Sequence, residues 1–515
     1  MRDLIPFSDV ERAVQALRDL AVPGGRDVVF GDDGEKFGDW PGTRKLCYED
    51  RWLERFFGEI ERDPDLSVRP VSEGFAGSRA RGMAYLPAAS YFEMMEWAER
   101  ADRQTALRKA RQSLRDSGSW DGIAPFVRGV SWRNFLVRYP ESNRMHKMAS
   151  RLSRAIHAAL DAKPAPRRRA ALLKAREHVW QAQCNCGYWH GVFGGLYLPH
   201  LRRAIHGHLA RAEAVVRDGA TDARREDWDL DGVEEVLLAS GGQFLSIHPG
   251  AGGTIPVWYL DRTGLNLSDS MTRAPEPYHA RVRGEEGRGD GSKLADQFEA
   301  SDPELVAALV YDAVPRTSGL VWWFPEGEDV GAWSVSRPVG NWLGGAWELF
   351  SVRRGAVPSC ELRTERDGLV FRRGLKLSPG GGVEVVVLVE NPGDEERRGT
   401  VGFEWLANLL AGDAPDRWLE TSDGVRHGLG TAGACRGPVR LADEWLALAL
   451  RSDAGEDAEL AWDAVHTVNQ SVGGYEKVYQ GTSILHHRRI AVPAGGVALF
   501  RIVLEIHQPD VPSPL

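Results

Sequence analysis

The sequence predicts a chain that is mixed α/β at its start, helical in its middle and all-β over its second half. Over residues 1–100, apolar runs of strand length alternate with amphipathic helical stretches, a pattern typical of parallel strands joined by right-handed crossovers. Helical periodicity dominates residues 101–222, and short apolar runs between Gly, Asp and Pro turns fill residues 223–515. We therefore expect a partial (β/α) barrel, a helical domain that completes its cleft and a large β-sandwich.

The expected barrel segment centres on one strand and the loop that follows it. Val28–Phe30 is a short apolar run that predicts a buried strand, and it is followed by the adjacent carboxylates of Asp32 and Asp33. Loops of this kind, after barrel strands, are where α/β barrels keep their catalytic groups. Three strands do not close a barrel, so we expect only its last part. The other predicted elements here are strands at Leu4–Phe7 and Leu66–Val71 and helices at Val10–Leu20 and Trp52–Ile60.

Composition excludes several classes of partner. The formal net charge of −9 and the sequence pI of about 5.9 argue against a nucleic-acid-binding protein. No apolar run approaches the ~20 residues of a membrane span, and the first residues lack the apolar core of a signal peptide. Five cysteines in 515 residues are few and odd in number, which favours a reducing compartment over a disulfide framework. The predicted location is cytoplasmic.

The loop after the Val28–Phe30 run is the first candidate site. Asp32, Asp33 and Glu35 place three carboxylates close together, and burial or like charge raises the pKa of such a group toward that of a general acid. Trp40 follows, and the face of a Trp suits a sugar ring. The same carboxylates also fit a solvated acidic turn, and a Trp also fits a packed core.

The densest aromatic and polar stretch, residues 183–202, is the second candidate. Cys184, Cys186 and His190 have the chemistry of metal ligands, but a fourth ligand is missing nearby, and a packed turn accounts for them as well. His190 next to Trp189 also suits a hydrogen bond to a hydroxyl-rich ligand. A lone His is equally a core residue, so spacing alone leaves these alternatives open.

A third candidate lies at the start of the predicted sandwich. Asp227, Asp229 and Asp231 alternate along the chain before Gly232, and Glu235 follows. Three carboxylates at every second position converge on one hard cation when the backbone turns at the glycine, as at the start of a calcium loop. The full twelve-residue motif is absent. The alternatives are a structural calcium site and a solvated acidic linker.

Four blocks of the sequence closely resemble glycoside hydrolase family 57, in its α-amylase and 4-α-glucanotransferase branch. The resemblance runs in order from about residue 2 into the predicted sandwich. It implies an incomplete (β/α)7-type barrel, a helical region and a C-terminal β-sandwich. The blocks are Asp32–Thr43, Tyr85–Trp97, Tyr139–Lys147 and Gln183–Arg202.

The resemblance also implies a chemistry and roles for residues. The family cleaves or transfers α-1,4-glucosidic bonds with retention, using a Glu nucleophile and an Asp that protonates the leaving oxygen. Alignment on Phe37-Gly38 and Trp40 places that acid/base on Asp33, with Asp32 and Glu35 as neighbours that tune it. Trp40 would be a sugar platform, and Trp189 and His190 would line the same cleft. The implied substrate is an α-1,4-glucan or maltooligosaccharide, and no cofactor is required.

The family's nucleophile has no counterpart in this sequence. In the family it lies on a strand before the acidic loop, and the only Glu before Phe30 is Glu11, which fits a helix cap. Cys186 also stands where some members carry an acidic residue. The first hypothesis is therefore the C-terminal part of a retaining hydrolase or glucanotransferase that needs a separate or lost N-terminal barrel half. The alternatives are a non-catalytic α-glucan-binding or partner protein and an unstable relic.

Overall fold

The chain separates into two compact units, residues 1–87 and residues 88–515. No helix within the described part of the chain is long and apolar enough to cross a membrane. The computed structural model describes residues 4–40, 42–76, 82–83, 85, 88, 90, 92–127, 129–190, 194–285, 302–471 and 474–508. Parts of the Tyr85–Trp97 and Gln183–Arg202 blocks therefore lie outside the described residues.

The first unit contains the helices α1 (Val10–Arg18), α2 (Trp52–Arg62) and α3 (Val71–Ala76). The helices expected near Val10 and Trp52 are confirmed. Val10 of α1 and Trp52 and Phe56 of α2 share one small core because their apolar side chains recur on one face of each helix. The indole Nε1 of Trp52 donates to the carbonyl oxygen of Ser8 at 2.7 Å, which ties α2 to the start of α1.

The three strands predicted in this unit are wrong. Val28–Phe30 forms no regular structure, and Val29 is 69% exposed. Leu4–Phe7 lies in a turn, and Leu66–Val71 runs as coil into α3. A strand needs a hydrogen-bonded neighbour, and the described residues of this unit contain no strand that could be one.

Helices fill the first part of the second unit. Helix α8 (Pro140–Asp161) buries Met148, Leu152 and Ile156 at spacings of four residues, which is one stripe of a helix. Helices α8, α9 and α10 pack against one another. The other helices of this unit are α4 (Phe92–Trp97), α5 (Ala101–Asp116), α6 (Trp120–Ile123), α7 (Trp132–Arg138), α9 (Pro166–Gln181), α10 (Pro199–Arg217), α11 (His279–Val282), α12 (Pro303–Ala307) and α13 (Ala332–Val335).

Three antiparallel sheets follow. The first contains, in spatial order, β1 (Asp222–Glu226), β2 (Glu235–Ser240), β3 (Gln243–His248), β4 (Thr254–Leu260) and β5 (Leu265–Asn266). The second contains β13 (Arg426–Gly428), β12 (Arg417–Glu420), β15 (Val439–Asp443), β16 (Leu448–Asp453), β19 (Val497–His507), β10 (Gly382–Glu390), β9 (Leu369–Leu377), β8 (Ser359–Arg366) and β7 (Glu348–Arg353). The third contains β14 (Gly433–Arg436), β17 (Glu459–Ser471), β18 (Gly474–Val492), β11 (Arg397–Ala407) and β6 (Leu320–Pro325).

Strands β2 to β5 of the first sheet are buried on both faces, which explains their continuous apolar runs. Leu238 and Leu245 join a core that all three sheets share. Leu237, Phe244 and Tyr259 face the other way and pack with the helices. The fold is thus mixed helix and sheet, with large antiparallel sheets and a helical layer on one face of the first.

Candidate functional site

The two adjacent aspartates of the acidic loop differ in burial and in hydrogen bonding. Oδ1 of Asp32 accepts the amide N–H of Asp33 at 3.0 Å, and Oδ2 pairs with Lys36 Nζ at 2.6 Å. The side chains of Asp32 and Lys36 are 4% and 2% exposed. The Asp33 side chain is exposed where the 3-10 turn Gly34–Phe37 begins, and it accepts no hydrogen bond from a described residue. The Asp32 carboxylate is therefore held by the fold, whereas the Asp33 carboxylate is exposed.

Trp40 and Glu35 complete this loop. The Trp40 ring stacks on Phe7, with centroids 6.2 Å apart and planes 15° apart, so one of its faces is partly covered. The Glu35 side chain is exposed, while its carbonyl oxygen accepts the N–H of Asp39 at 2.8 Å and that of Trp40 at 3.0 Å. The loop is therefore ordered by its own backbone around an exposed carboxylate at Asp33.

Trp189 lies in the second unit, in a half-buried position. Its ring is 5.0 Å from that of Trp97, with 32° between the planes. Its carbonyl oxygen accepts the N–H of Leu196 at 2.8 Å. Gly195 is required beside it, because a Cβ there would lie 2.1 Å from that oxygen. The two indoles form a pair with solvent-accessible surface, as sugar rings need.

His190 is buried and fully hydrogen-bonded. Its Nδ1 is 2.9 Å from the carbonyl oxygen of Gly194, and its Nε2 is 3.1 Å from the hydroxyl of Tyr278. Burial lowers the pKa of His190, which keeps the ring neutral. Since a carbonyl only accepts, Nδ1 carries the proton and Nε2 accepts from Tyr278. The ligand hydrogen bond predicted for His190 would have to displace that tyrosine.

Glu276 is a buried carboxylate two residues before Tyr278, the hydrogen-bond partner of His190. Its Oε1 accepts the hydroxyls of Tyr139 at 2.8 Å and of Tyr197 at 2.9 Å, and its Oε2 pairs with Arg138. The Glu276 side chain is 2% exposed. Burial raises the pKa of both tyrosines well above the ordinary value, so each remains a donor.

Three of the four residues predicted to bind calcium lie close together. One ligand oxygen each from Asp227, Asp229 and Glu235 lies within 4.8 Å of the others. Oδ1 of Asp229 is buried without a hydrogen-bond partner among the described residues, and burial raises the pKa of Glu235 to about 8. Asp231 is outside this group, and its Oδ1 accepts the N–H of Val233 at 2.7 Å. Oxygen ligands of this kind suit Ca²⁺.

The cysteine alternative gains no structural support. Cys184 and Cys186 are exposed, and no converging group of three ligand residues in the described part of the chain includes either of them or His190. Sequence reasoning also missed residues that shape the Trp189 region. Trp97 and Tyr197 lie within the family-like blocks as aromatics without a predicted role, whereas Glu276 and Tyr278 lie about 80 residues further on, where no motif marks them.

Family models match both halves of the second unit. Residues 130–216 match the middle domain of the alpha-amylase/4-alpha-glucanotransferase family, and residues 227–498 match its C-terminal domain. The family expected from the four blocks is therefore confirmed.

Individual relatives agree with these matches. Alpha-amylase 1 of Dictyoglomus thermophilum is 31% identical over 96% of this chain, which spans 72% of that relative. A 4-alpha-glucanotransferase of Thermococcus kodakarensis is 34% identical over 72% of this chain and 55% of its own length. The crystal structure of the Thermococcus litoralis 4-alpha-glucanotransferase superposes with a TM-score of 0.77 at 25% identity, over 98% of this chain and 71% of that one.

Proposed function

This chain belongs to the alpha-amylase/4-alpha-glucanotransferase family, and on that premise we propose that it processes α-1,4-glucans as part of a retaining hydrolase or 4-α-glucanotransferase. The observation that carries the proposal is the 31% identity to a named alpha-amylase along 96% of the chain. In this proposal residues 1–100 belong to a (β/α)7-type barrel whose strands form only when the other barrel half is present, and a helical region and a β-sandwich follow. No disulfide joins the five cysteines in the described part of the chain, which supports a cytoplasmic location.

In this proposal Asp33 is the acid/base. It donates its proton to the glycosidic oxygen as the bond to the anomeric carbon breaks, and the nucleophilic carboxylate takes that carbon as an ester. Asp33 then removes a proton from water in hydrolysis, or from an acceptor hydroxyl in transfer, and the ester is released. Asp32 is unsuited to this role, because Lys36 holds its carboxylate in a buried ion pair.

Trp189 and Trp97 supply a glucan platform in the second unit. Their half-buried rings lie 5.0 Å apart and offer apolar faces to a pyranose ring. His190, the next residue after Trp189, is fixed by hydrogen bonds to Gly194 and Tyr278. Trp40, whose ring stacks on Phe7, is the proposed sugar platform of the first unit.

The nucleophile is proposed to come from a carboxylate outside these 515 residues, on a separate barrel half. Val28–Phe30 supports this partner, since Val28, Val29 and Phe30 are 44%, 69% and 45% exposed. An apolar segment without a strand neighbour among the described residues is suited to receive one.

The test is co-expression with the part of the Dictyoglomus relative that this chain does not match, followed by turnover of maltoheptaose. We expect Asp33→Asn to lose about 10²–10⁴-fold in kcat, the usual contribution of a general acid, without a change in unfolding midpoint. Asp39→Asn is the matched control, because Asp39 is an exposed carboxylate of the same loop. Near-normal turnover in the Asp33 variant would refute the acid/base assignment.

A non-catalytic glucan-binding protein is the second candidate. The Trp97–Trp189 pair favours it, because the binding of a sugar ring to indole rings requires no nucleophile. Equilibrium titration of the chain alone with maltoheptaose separates the two. Binding without turnover, even with the barrel partner supplied, supports this candidate, and absence of binding removes it.

We also propose a structural Ca²⁺ held by Asp227, Asp229 and Glu235. The buried, unpartnered Oδ1 of Asp229 supports it. Ca²⁺ at 100 times its Kd is expected to stabilise the wild-type chain by about 2.7 kcal/mol. Asp229→Asn should lose that Ca²⁺-dependent shift, while Asp231→Asn should keep it. Equal shifts in the two variants would contradict the assignment.

A further inference from the structure

Glu276 joins three parts of the second unit that are distant in sequence. Its two oxygens receive Arg138 at the end of α7, Tyr139 next to it and Tyr197 in the 3-10 turn Gly195–Tyr197. Both tyrosine hydroxyls donate to Oε1, at 2.8 and 2.9 Å, and Arg138 occupies Oε2. The carboxylate is thus a hub with each of these hydrogen bonds directed from a neighbour toward it.

Glu276 is linked to Trp189 by the 3-10 turn that contains Tyr197. Leu196, the residue before Tyr197, donates its N–H to the Trp189 carbonyl oxygen at 2.8 Å. The Tyr197 ring also packs edge-on against His190, with centroids 4.5 Å apart. When Tyr197 is fixed by Glu276, both the backbone of Trp189 and the ring of His190 are fixed with it.

Tyr139, the second tyrosine bound to Glu276, packs against the rings of Tyr197 and His190. The Tyr139 ring stands edge-on to Tyr197 at 6.5 Å and to His190 at 6.4 Å. His190 accepts from Tyr278, which is two residues from Glu276, and the Glu276 amide N–H lies 3.0 Å from His279 Nδ1. The segment carrying Glu276 therefore holds the His190 ring through Tyr278 as well as through the tyrosine pair.

We propose that Glu276 is a positioning residue for glucan binding, one that sets the place of the Trp189 ring through Tyr197 and His190. This inference rests on the proposed glucan platform. Glu276 is buried, so its effect on glucan affinity would be exerted through these neighbouring residues.

Glu276→Gln tests the charge of the hub. The amide can keep its oxygen toward the tyrosines, but its NH₂ then faces the Arg138 guanidinium, and two donors meet. Tyr197→Phe tests the hydrogen bond alone, because the ring remains. Maltoheptaose affinity of the full chain is measured by titration calorimetry, at a temperature where far-UV circular dichroism shows every variant folded.

Glu404→Gln is the matched control for a merely structural role. Glu404 is also a buried carboxylate hub, accepting Trp322 Nε1, Trp333 Nε1 and Arg337, each at 2.9 Å. Its side-chain partners in the described part of the chain do not include any residue that contacts Trp189. Both Glu→Gln variants should lower the unfolding midpoint, but only the one at Glu276 should weaken binding.

We expect a rise in Kd of about tenfold or more for Glu276→Gln and about three- to tenfold for Tyr197→Phe. Equal affinity in the Glu276 and Glu404 variants, with wild-type binding intact, overturns the positioning role and leaves the proposed function standing. A wild-type chain that does not bind maltoheptaose overturns the glucan platform itself and, with it, this inference.

Discussion

Gly195 offers a direct test of how the Trp189 loop is held. Its φ is +54°, and a Cβ there would lie 2.1 Å from the carbonyl oxygen of Trp189 and 3.2 Å from that of Cys186. Both obstacles are backbone atoms, so no side-chain rotation relieves the contact. The Trp189 oxygen also accepts the N–H of Leu196, and moving that oxygen stretches the bond.

The cost of Gly195→Ala has three parts. A residue with a Cβ costs about 1–2 kcal/mol in the left-handed region. Weakening the hydrogen bond from Leu196 to Trp189 costs about 0.5–1.5 kcal/mol. Relief of the remaining overlap moves the Trp189 backbone by about 1 Å or more, which costs packing against Trp97. We expect a loss of about 2–4 kcal/mol in unfolding free energy and a fall in maltoheptaose affinity of about tenfold or more.

Gly219→Ala is the control for this measurement. Gly219 has a φ of +65°, but a Cβ added there would meet nothing within 4 Å. It should therefore show only the conformational cost, about 1–2 kcal/mol, with unchanged affinity. Urea unfolding followed by circular dichroism and calorimetric titration report the two quantities. Equal destabilisation in both variants, or full affinity in Gly195→Ala, would refute the reasoning.

Three further predictions concern buried ionisable groups. Burial lowers the pKa of His206 and His279 to about 4 and that of His486 to about 3. As pH drops, the unfolded chain binds these protons before the folded chain does. The unfolding free energy from urea titrations should therefore fall below about pH 6.5, by about 1.4 kcal/mol per pH unit per histidine, and His206→Gln should make the fall shallower. The raised pKa of Glu235 acts in the opposite sense: without Ca²⁺, its contribution should be lost as pH rises from 4.5 toward about 8, and Glu235→Gln should remove that dependence. Glu404→Ala leaves Arg337 buried without its partner and should cost about 3–5 kcal/mol in urea unfolding, whereas a cost below about 1 kcal/mol would contradict the role of this ion pair.

The sequence predicts strands correctly where an apolar run is buried in a sheet. The apolar run Val383–Val389 predicts a strand, and in β10 Val383, Val385 and Val387 are buried while the residues between them are partly exposed. The apolar run Val28–Phe30 has similar residues, yet it forms no strand, because strand formation depends on a neighbour that three residues cannot specify. Local pattern therefore identifies a strand only when the pairing partner is also present.

The candidate site shows a similar division. Adjacent aspartates at 32 and 33 are equivalent in sequence, and the contact from Lys36 to Asp32 is what separates them. The alternating acidic run indicated a metal site, but which carboxylates converge depends on a turn in which Asp231 accepts the Val233 amide. Glu276 had no sequence pattern at all, since its partner Tyr139 is 137 positions away. Contacts of that kind are consequences of the whole fold.

The turn Gly195–Tyr197 is held by contacts from both the helical and the β-rich parts of the second unit. Arg202, fully buried, donates to the Leu196 carbonyl oxygen at 2.6 Å and to Gln480 Oε1 at 2.7 Å. Gln480, in β18, donates in turn to the Tyr197 carbonyl oxygen at 2.7 Å.

Three anchors therefore fix this turn, from α10, from β18 and from Glu276. Because the turn holds the Trp189 carbonyl, the proposed platform depends on strands that follow it by almost 300 residues in the chain. The contacts that hold this turn therefore cross the break between the matched segments 130–216 and 227–498. Gln480→Ala, far from any proposed sugar contact, should weaken maltoheptaose binding in a calorimetric titration, since buried polar networks transmit the loss of one member to the groups they orient.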